Sequence, residues 1–332
     1  MAVLAMTPEV RELRERVRDL MDRLVYPNEV RLDREDDEAE ALVKDLRAEV
    51  RAAGLWAPHI GPEAGGSGRG FVAYAFLNEL IGRSVWAPLV FGCQAPDAGN
   101  AEILQSFGTE EQRRRWLAPL VAGDVRSFFS MTEPEVSGSD PTGLRTTAVR
   151  DGDDWVINGS KTFITNGGSA DIVLVAARTS PEKKAKGISL FAVDTTLDGF
   201  SVGRVLDKVG QDESDTAELA FDNVRVSNDD LVGPLDTGFI SMMQFLPQER
   251  LGSAITNLAH AKQILEETIQ YAKDRQAFGQ SIGRFQHIKF LLAELVTQVE
   301  VCEAYMDKCV KAHAEGQLTA VEAAKAKWWS SQ

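Results

Sequence analysis

Phe129-Ser130-Met131-Thr132-Glu133-Pro134-Glu135-Val136-Ser137-Gly138-Ser139-Asp140, followed after a short strand-like run by Trp155-Val156-Ile157-Asn158-Gly159-Ser160-Lys161-Thr162-Phe163-Ile164-Thr165-Asn166-Gly167-Gly168, is the stretch on which the reading of this chain turns. Its glycines and small hydroxyl residues allow close backbone approach, and Phe163 can cover one face of a flat ring. Thr132 and Thr165 carry hydroxyls that can donate to or accept from ring atoms. The combination suits a planar, polar-edged system such as a flavin. The stretch offers no base strong enough for chemistry, so that group has to come from elsewhere.

Around this stretch, from about 126 to 227, apolar residues alternate and β-branched residues are frequent, which predicts strands over 146–150, 155–157, 161–165, 172–177, 188–193 and 219–226. Asp151-Gly152 and Asn158-Gly159 carry the signature of tight hairpin turns. Several antiparallel strands in so short a span imply a small barrel or sandwich. On the amino-terminal side the period is helical: Val10, Leu13, Val17, Leu20 and Leu24 recur at three- and four-residue steps behind Thr7-Pro8, a capped start with Pro at the first helical position. The glycine-rich run 61–68 reads as a loop, since no strand precedes it and its spacing does not fit a dinucleotide fingerprint. From Thr237 onward the chain is helical again. Leu251, Ile255, Leu258, Leu265 and Ile269 form one apolar face, and Ile288, Leu291, Leu295, Val299 and Cys302 another, as in paired helices of a bundle. The predicted fold is mainly α with an inserted β domain: an N-terminal α-helical domain over 1–125, a middle β-barrel domain over 126–235, and an incomplete C-terminal helix bundle over 236–332.

Composition narrows the function. With 332 residues, 44% of them hydrophobic, the chain can bury one large core or several smaller ones. A formal charge of −14 argues against nucleic acid and anionic membrane surfaces as partners. No window reaches the ~18 apolar residues of a membrane span. Cys93, Cys302 and Cys309 form neither a disulfide framework nor a metal motif and read as reduced core thiols. The four histidines are scattered, with no ligand pair one turn apart, so no catalytic metal is expected. The first twenty residues carry acidic side chains and no long apolar core, which predicts neither a secretory signal nor a transit peptide and a cytoplasmic location.

Further motifs stand in order along the chain: Gly108-Thr109-Glu110-Glu111-Gln112, Trp116-Leu117-Ala118-Pro119-Leu120 with Gly123, Thr132-Glu133-Pro134, Gly138-Ser139-Asp140, Asn158-Gly159-Ser160-Lys161, Ser214-Asp215-Thr216 and Arg275-Gln276-Ala277-Phe278-Gly279. Together they resemble the acyl-CoA dehydrogenase family over essentially the whole chain. The resemblance implies FAD as cofactor, with Phe129, Met131 and Thr132 lining the flavin and Phe163 and Thr165 closing over its ring system. Ser139 would lie near the cofactor and the acyl-CoA arm. Arg275, Phe278 and Gln286 would contact the FAD of a neighbouring subunit, which implies a homodimer or homotetramer. Taken alone, Arg275 at a helix end is also favoured by the helix dipole, by roughly 0.3–1 kcal/mol. Phe163 stands where relatives often carry Trp, and Asp212, where many carry Arg, is assigned no ligand role.

The family's reaction removes a weakly acidic proton beside a thioester carbonyl while hydride leaves the β-carbon, and needs a carboxylate in a dry site. In most relatives that base lies near the carboxy terminus, beyond residue 332. Leu246-Pro247-Gln248-Glu249-Arg250-Leu251 instead resembles the long-chain and isovaleryl type, whose base opens the helix after the barrel. That makes Glu249 the base and places Arg250 near the CoA moiety. The competing reading of Glu249 is structural: Pro247 opens a helix, and an acidic residue in its first turn favours the dipole. Trp328 and Trp329, near the end of the last helical run, are expected to be buried, and the missing family segment implies a truncated or naturally short chain. The expected activity is α,β-dehydrogenation of an acyl-CoA to the trans-2-enoyl-CoA, with electrons passed to an electron-transfer flavoprotein. An acyl-CoA oxidase and a non-catalytic acyl-CoA- and FAD-binding subunit are the alternatives.

Overall fold

The structure, a computed structural model, describes residues 4–34, 36–211 and 213–332; Asp212 therefore lies outside the described residues. Its principal helices are α1 (Pro8–Leu20), α2 (Asp37–Ala52), α3 (Gly70–Ile81), α4 (Asp97–Phe107), α5 (Gly238–Asp274), α6 (Gln286–Ala314) and α7 (Ala320–Ser330). Among the described residues, eight strands stand between α4 and α5: β1 (Ser127–Ser130), β2 (Thr147–Asp151), β3 (Asp154–Thr165), β4 (Ile172–Arg178), β5 (Ile188–Asp194), β6 (Phe200–Val205), β7 (Thr216–Ser227) and β8 (Leu231–Val232). A small hairpin of β9 (Gln276–Ala277) and β10 (Gln280–Ser281) follows α5. The chain divides into two compact units, one of residues 1–59, 69–91 and 246–332, the other of residues 60–68 and 92–245.

The first unit is helical. Thr7 caps α1 by accepting a hydrogen bond from the Val10 amide at 3.2 Å, Pro8 occupies the first turn, and Leu13, Val17 and Leu20 turn inward. Its core joins Ala75 of α3, Leu251, Ala254, Ile255 and Leu258 of α5, Cys302, Met306, Cys309 and Val310 of α6, and Ala326 of α7. Both cysteines there are buried and free. Charges are buried as well. Glu79 on α3 takes Arg14 at 2.9 Å and Lys262, and Lys262 also binds Glu303. Burial raises the Glu79 carboxyl, but Arg14 and Lys262 outweigh it and hold the pKa at about 2.

Two expectations are corrected here. Pro247 does not open a helix: α5 begins at Gly238 and Pro247 lies in its interior, because the apolar run 239–246 continues the helical pattern upstream. Trp328 and Trp329 are 59% and 44% exposed, since α7 turns Ala323 and Ala326 inward and leaves the two rings to pack on each other at 5.9 Å.

The second unit holds the sheet, in the order β6-β7-β3-β2-β4-β5-β8, with β1 parallel to β4. It wraps strongly. Trp155 on β3 and Phe191 on β5 lie three strand spacings apart along the sheet, about 14 Å if it were flat, yet their ring centroids are 5.6 Å apart. One core of alternate residues results, among them Phe128, Trp155, Ile157, Val173, Val175, Phe191, Val193, Leu219 and Phe221. β4 and β5 are buried on both faces, β4 through the unbroken apolar run 172–177 and β5 through an apolar run interrupted only by Ser189, which is hydrogen-bonded to Thr179 and the Asp236 amide.

Here Asp151-Gly152 does form the β2–β3 turn, with Asp151 opposite Asp154. Asn158-Gly159 does not turn; it is an irregularity inside the single strand β3, marked by a register shift against β7 between Ile157 and Gly159. The glycine is needed for close approach, because a Cβ there would lie 2.8 Å from Thr146 Cα. Asn158 spends its side chain across the sheet, accepting from the Asn223 amide at 2.8 Å. β1, β6 and β8 are strands that alternation alone did not mark out.

Candidate active site

The quoted stretch becomes one wall of the second unit. β1 delivers Phe129, half-buried, and runs into Met131 and Thr132, also half-buried. β3 comes alongside, the Thr162 amide donating to the Thr132 carbonyl at 2.9 Å. Beneath this contact lies an ion pair that local sequence reading missed. Lys161 Nζ, fully buried, donates to Glu133 Oε1 at 3.0 Å, to the Met131 carbonyl at 3.1 Å and to the Ala176 carbonyl at 2.9 Å. Glu133 also accepts from the Arg145 and Thr146 amides, at 2.6 and 2.8 Å. All three donors of the ammonium are thereby used. Burial pushes Lys161 down to about 8, against the pull of Glu133. Burial also opposes ionisation of Glu133, but Lys161 and the Thr146 hydrogen bonds hold its carboxyl below the usual range. Both groups stay charged at neutral pH.

The consequence appears one step along β3. Lys161 and Thr162 are both buried, which breaks the two-residue alternation, and the register against β7 shifts between Lys161 and Ile164. Phe163 takes up the irregularity: it sits at φ 57° with its side chain 67% exposed. A left-handed conformation in a bulky residue costs about 1–2 kcal/mol and persists only where the surroundings impose it. Thr165, two residues on, is half-buried opposite Thr216. The loop after it is clamped by Asp215, whose carboxylate accepts from the Gly168 amide at 2.7 Å and from the Ser169 hydroxyl, while the Asn166 amide donates to the Asp215 carbonyl at 3.0 Å. Ser214-Asp215-Thr216 is thus a loop clasp. Ser139 is exposed, its hydroxyl 2.8 Å from that of Ser137. Thr109 and Gln112 form a capping box, and Gln112 Nε2 reaches the Asp229 and Leu231 carbonyls at 2.7 and 2.8 Å, so that motif fastens a helix to the end of the sheet.

Glu249 belongs to the first unit. It lies well inside α5, which removes the first-turn dipole explanation for its presence. Its side chain is exposed and makes no hydrogen bond among the described residues, yet crowding by the surrounding protein raises its carboxyl above the ordinary value, with Arg250 pulling the other way. A carboxyl that is accessible on one side and desolvated on the others suits a base meeting a carbon acid.

Arg275, Phe278 and Gln286 gather at one corner of this unit. Arg275 follows α5, Phe278-Gly279 is the turn of the β9–β10 hairpin, and Gln286 opens α6. Phe278 and Gly279 both have positive φ, 51° and 78°, the mirror-image turn that favours Asn-Gly. Phe278 is nevertheless an aromatic, 95% exposed, and meets Phe285 edge-on at 6.2 Å. Arg275 and Gln286 are exposed beside it. Such an arrangement presents an aromatic and a guanidinium outward. No group of three His, Cys, Asp or Glu among the described residues could hold a metal ion, and none of the described helices is long and apolar enough to cross a membrane.

Family models match the chain in succession: acyl-CoA dehydrogenase, N-terminal domain, over residues 7–124; the middle domain over 128–224; and the C-terminal domain over 236–332. The long-chain specific mitochondrial acyl-CoA dehydrogenase of Sus scrofa is 36% identical over 326 residues, covering 96% of this chain and 73% of that protein. Among solved structures, an acyl-CoA dehydrogenase from Geobacillus kaustophilus superposes with a TM-score of 0.85 at 33% identity, covering 98% of this chain and 84% of that one. Butyryl-CoA dehydrogenase from Megasphaera elsdenii gives a TM-score of 0.84 at 31% identity, covering 98% and 85%. The chain belongs to the acyl-CoA dehydrogenase family, oxidoreductases acting on CH–CH groups.

Proposed function

We propose that the chain oxidises an acyl-CoA thioester to the trans-2-enoyl-CoA with FAD, Glu249 acting as the base. The observation that carries this is the state of Glu249: a mid-helix carboxyl with no hydrogen-bond partner among the described residues and a pKa raised by its surroundings. A carbon acid beside a thioester is weak, so a base of raised pKa takes its proton more readily than an ordinary surface carboxylate. The α-proton goes to Glu249, and the electron pair it leaves forms the C=C bond as hydride departs the β-carbon. FAD, the cofactor of the family, supplies the hydride acceptor.

The wall of the second unit fits such a ring. Phe129, Met131, Thr132, Phe163 and Thr165 combine apolar cover with hydroxyls, and the strained outward pose of Phe163 is the mark of a side chain held ready for a partner. Ser139 serves the acyl-CoA arm and the cofactor, and Arg250 the CoA moiety. Arg275, Phe278 and Gln286 meet the FAD of a neighbouring copy, Arg275 offering a planar fork to phosphate oxygens, so the working form is a homodimer or homotetramer. Electrons then pass to an electron-transfer flavoprotein. Long-chain and butyryl enzymes both stand among the relatives at comparable identity, which leaves the acyl length to be measured. The test is anaerobic mixing of the FAD-loaded protein with saturated acyl-CoAs of graded length. Loss of the oxidised-flavin absorbance with at least one supports the reading; none with any, at full FAD occupancy, overturns it. Peroxide in proportion to turnover under air would instead identify an oxidase.

A further inference from the structure

Behind Glu249 lies a set of contacts that the sequence did not single out. Pro247 supplies no N–H to the helix ladder, so α5 is weakened two residues from the place where Glu249 must be held. The next residue, Gln248, is fastened from outside the helix: its Oε1 lies 2.9 Å from His313 Nε2, near the end of α6. With the Gln248 amide oxygen as acceptor, the tie takes the His313 tautomer that carries its proton on Nε2. His313 is itself held by Phe71 of α3, whose ring centroid lies 4.1 Å away at an interplanar angle of 33°, and Phe71 in turn packs edge-on against Tyr74 at 6.0 Å. Burial lowers the pKa of His313, which keeps the ring neutral at physiological pH.

Consecutive residues of a helix project about 100° apart, so fixing Gln248 from the side fixes the phase of the turn and with it the direction of the Glu249 side chain. We infer that His313, through its hydrogen bond to Gln248, is a positioning residue for the catalytic carboxylate, replacing by a side-chain tie the rigidity that Pro247 removes from α5. His313 touches neither substrate nor cofactor in this role. The inference rests on the reading of Glu249 as base.

The test is a double-variant cycle on the FAD-loaded protein with the best acyl-CoA found above. His313→Phe keeps a ring against Phe71 and deletes the donor; Gln248→Leu deletes the acceptor. Each is expected to slow flavin bleaching about 10- to 100-fold, the penalty of a misplacement near 1 Å. The double variant should be no slower than Gln248→Leu alone, because the tie is already lost there. The loss should fall on kcat, with KM, FAD affinity and the thermal midpoint close to the parent. His313→Gln, which restores a donor, should recover most of the rate. Parent-like bleaching in either single variant overturns the inference, as do additive losses in the double variant or a fall in thermal midpoint that tracks the rate. Glu249→Gln run alongside separates the two failures: if that variant bleaches normally the base assignment is wrong, whereas an inert Glu249→Gln beside a fully active His313→Phe refutes only the tie.

Discussion

Replacing Lys161 by Met tests whether the buried pair beneath the proposed flavin wall shapes it. The substitution removes three hydrogen bonds, to Glu133, to the Met131 carbonyl and to the Ala176 carbonyl, and leaves a carboxylate that is 6% exposed without its counter-charge. Breaking one side of a buried pair costs about 3–5 kcal/mol. At about 2–4 °C per kcal/mol for units of this size, the thermal midpoint should fall by roughly 10 °C. The second variant makes the reasoning specific. Lys161→Met with Glu133→Gln removes the stranded charge but keeps an oxygen for the Thr146 amide, so it should be more stable than Lys161→Met alone. Because Lys161 also holds the Met131 carbonyl, FAD affinity should fall in both variants. Circular dichroism melts of the FAD-free protein and flavin fluorescence titrations measure the two effects separately. A midpoint within about 2 °C of the parent, well under the expected shift, would refute the account of the pair. A double variant less stable than the single would refute the stranded-charge argument.

Two further outcomes follow from the geometry. At Phe163, where φ is 57°, Gly relieves the left-handed strain and Ala does not; Phe163→Gly should therefore be more stable than Phe163→Ala by about 1 kcal/mol in urea unfolding, with FAD affinity reduced in both, and equal stabilities would contradict the strain. Glu79, held at about 2 in the folded protein against an ordinary carboxyl value of 4.5, contributes stability that is fully present above pH 4.5 and is lost as pH falls toward 2, up to about 3 kcal/mol. The stability gap between the parent and Glu79→Gln should shrink across that window, and a gap independent of pH would contradict it.

Much of this architecture is legible in the chain because it is local. The Thr7-Pro8 cap, the Asp151-Gly152 turn and the doubly buried runs of β4 and β5 are each decided by residues a few positions apart. The errors share the opposite character. Asn158-Gly159 has the composition of a turn, but the close approach of Thr146 and the bond to Asn223 make it an irregularity within a strand. The burial of Lys161 has no local sign either, since it depends on Glu133, 28 residues away. Pro247 carries the signal of a helix start, and the apolar turns preceding it override that signal. The site divides the same way. Phe163 could be named from its motif, whereas its positive φ depends on the register of β3 against β7. His313 carries no local mark, since its partners Gln248 and Phe71 come from two other helices.

The central claim is that Glu249 takes the α-proton. Anaerobic stopped-flow of the FAD-loaded parent and Glu249→Gln with a saturating acyl-CoA measures it directly, by the loss of oxidised-flavin absorbance. A positioned base contributes about 10²- to 10⁴-fold, so the variant should bind FAD and acyl-CoA as the parent does and bleach slower by at least that lower factor. Bleaching at the parent's rate would contradict the account and move the base to another residue.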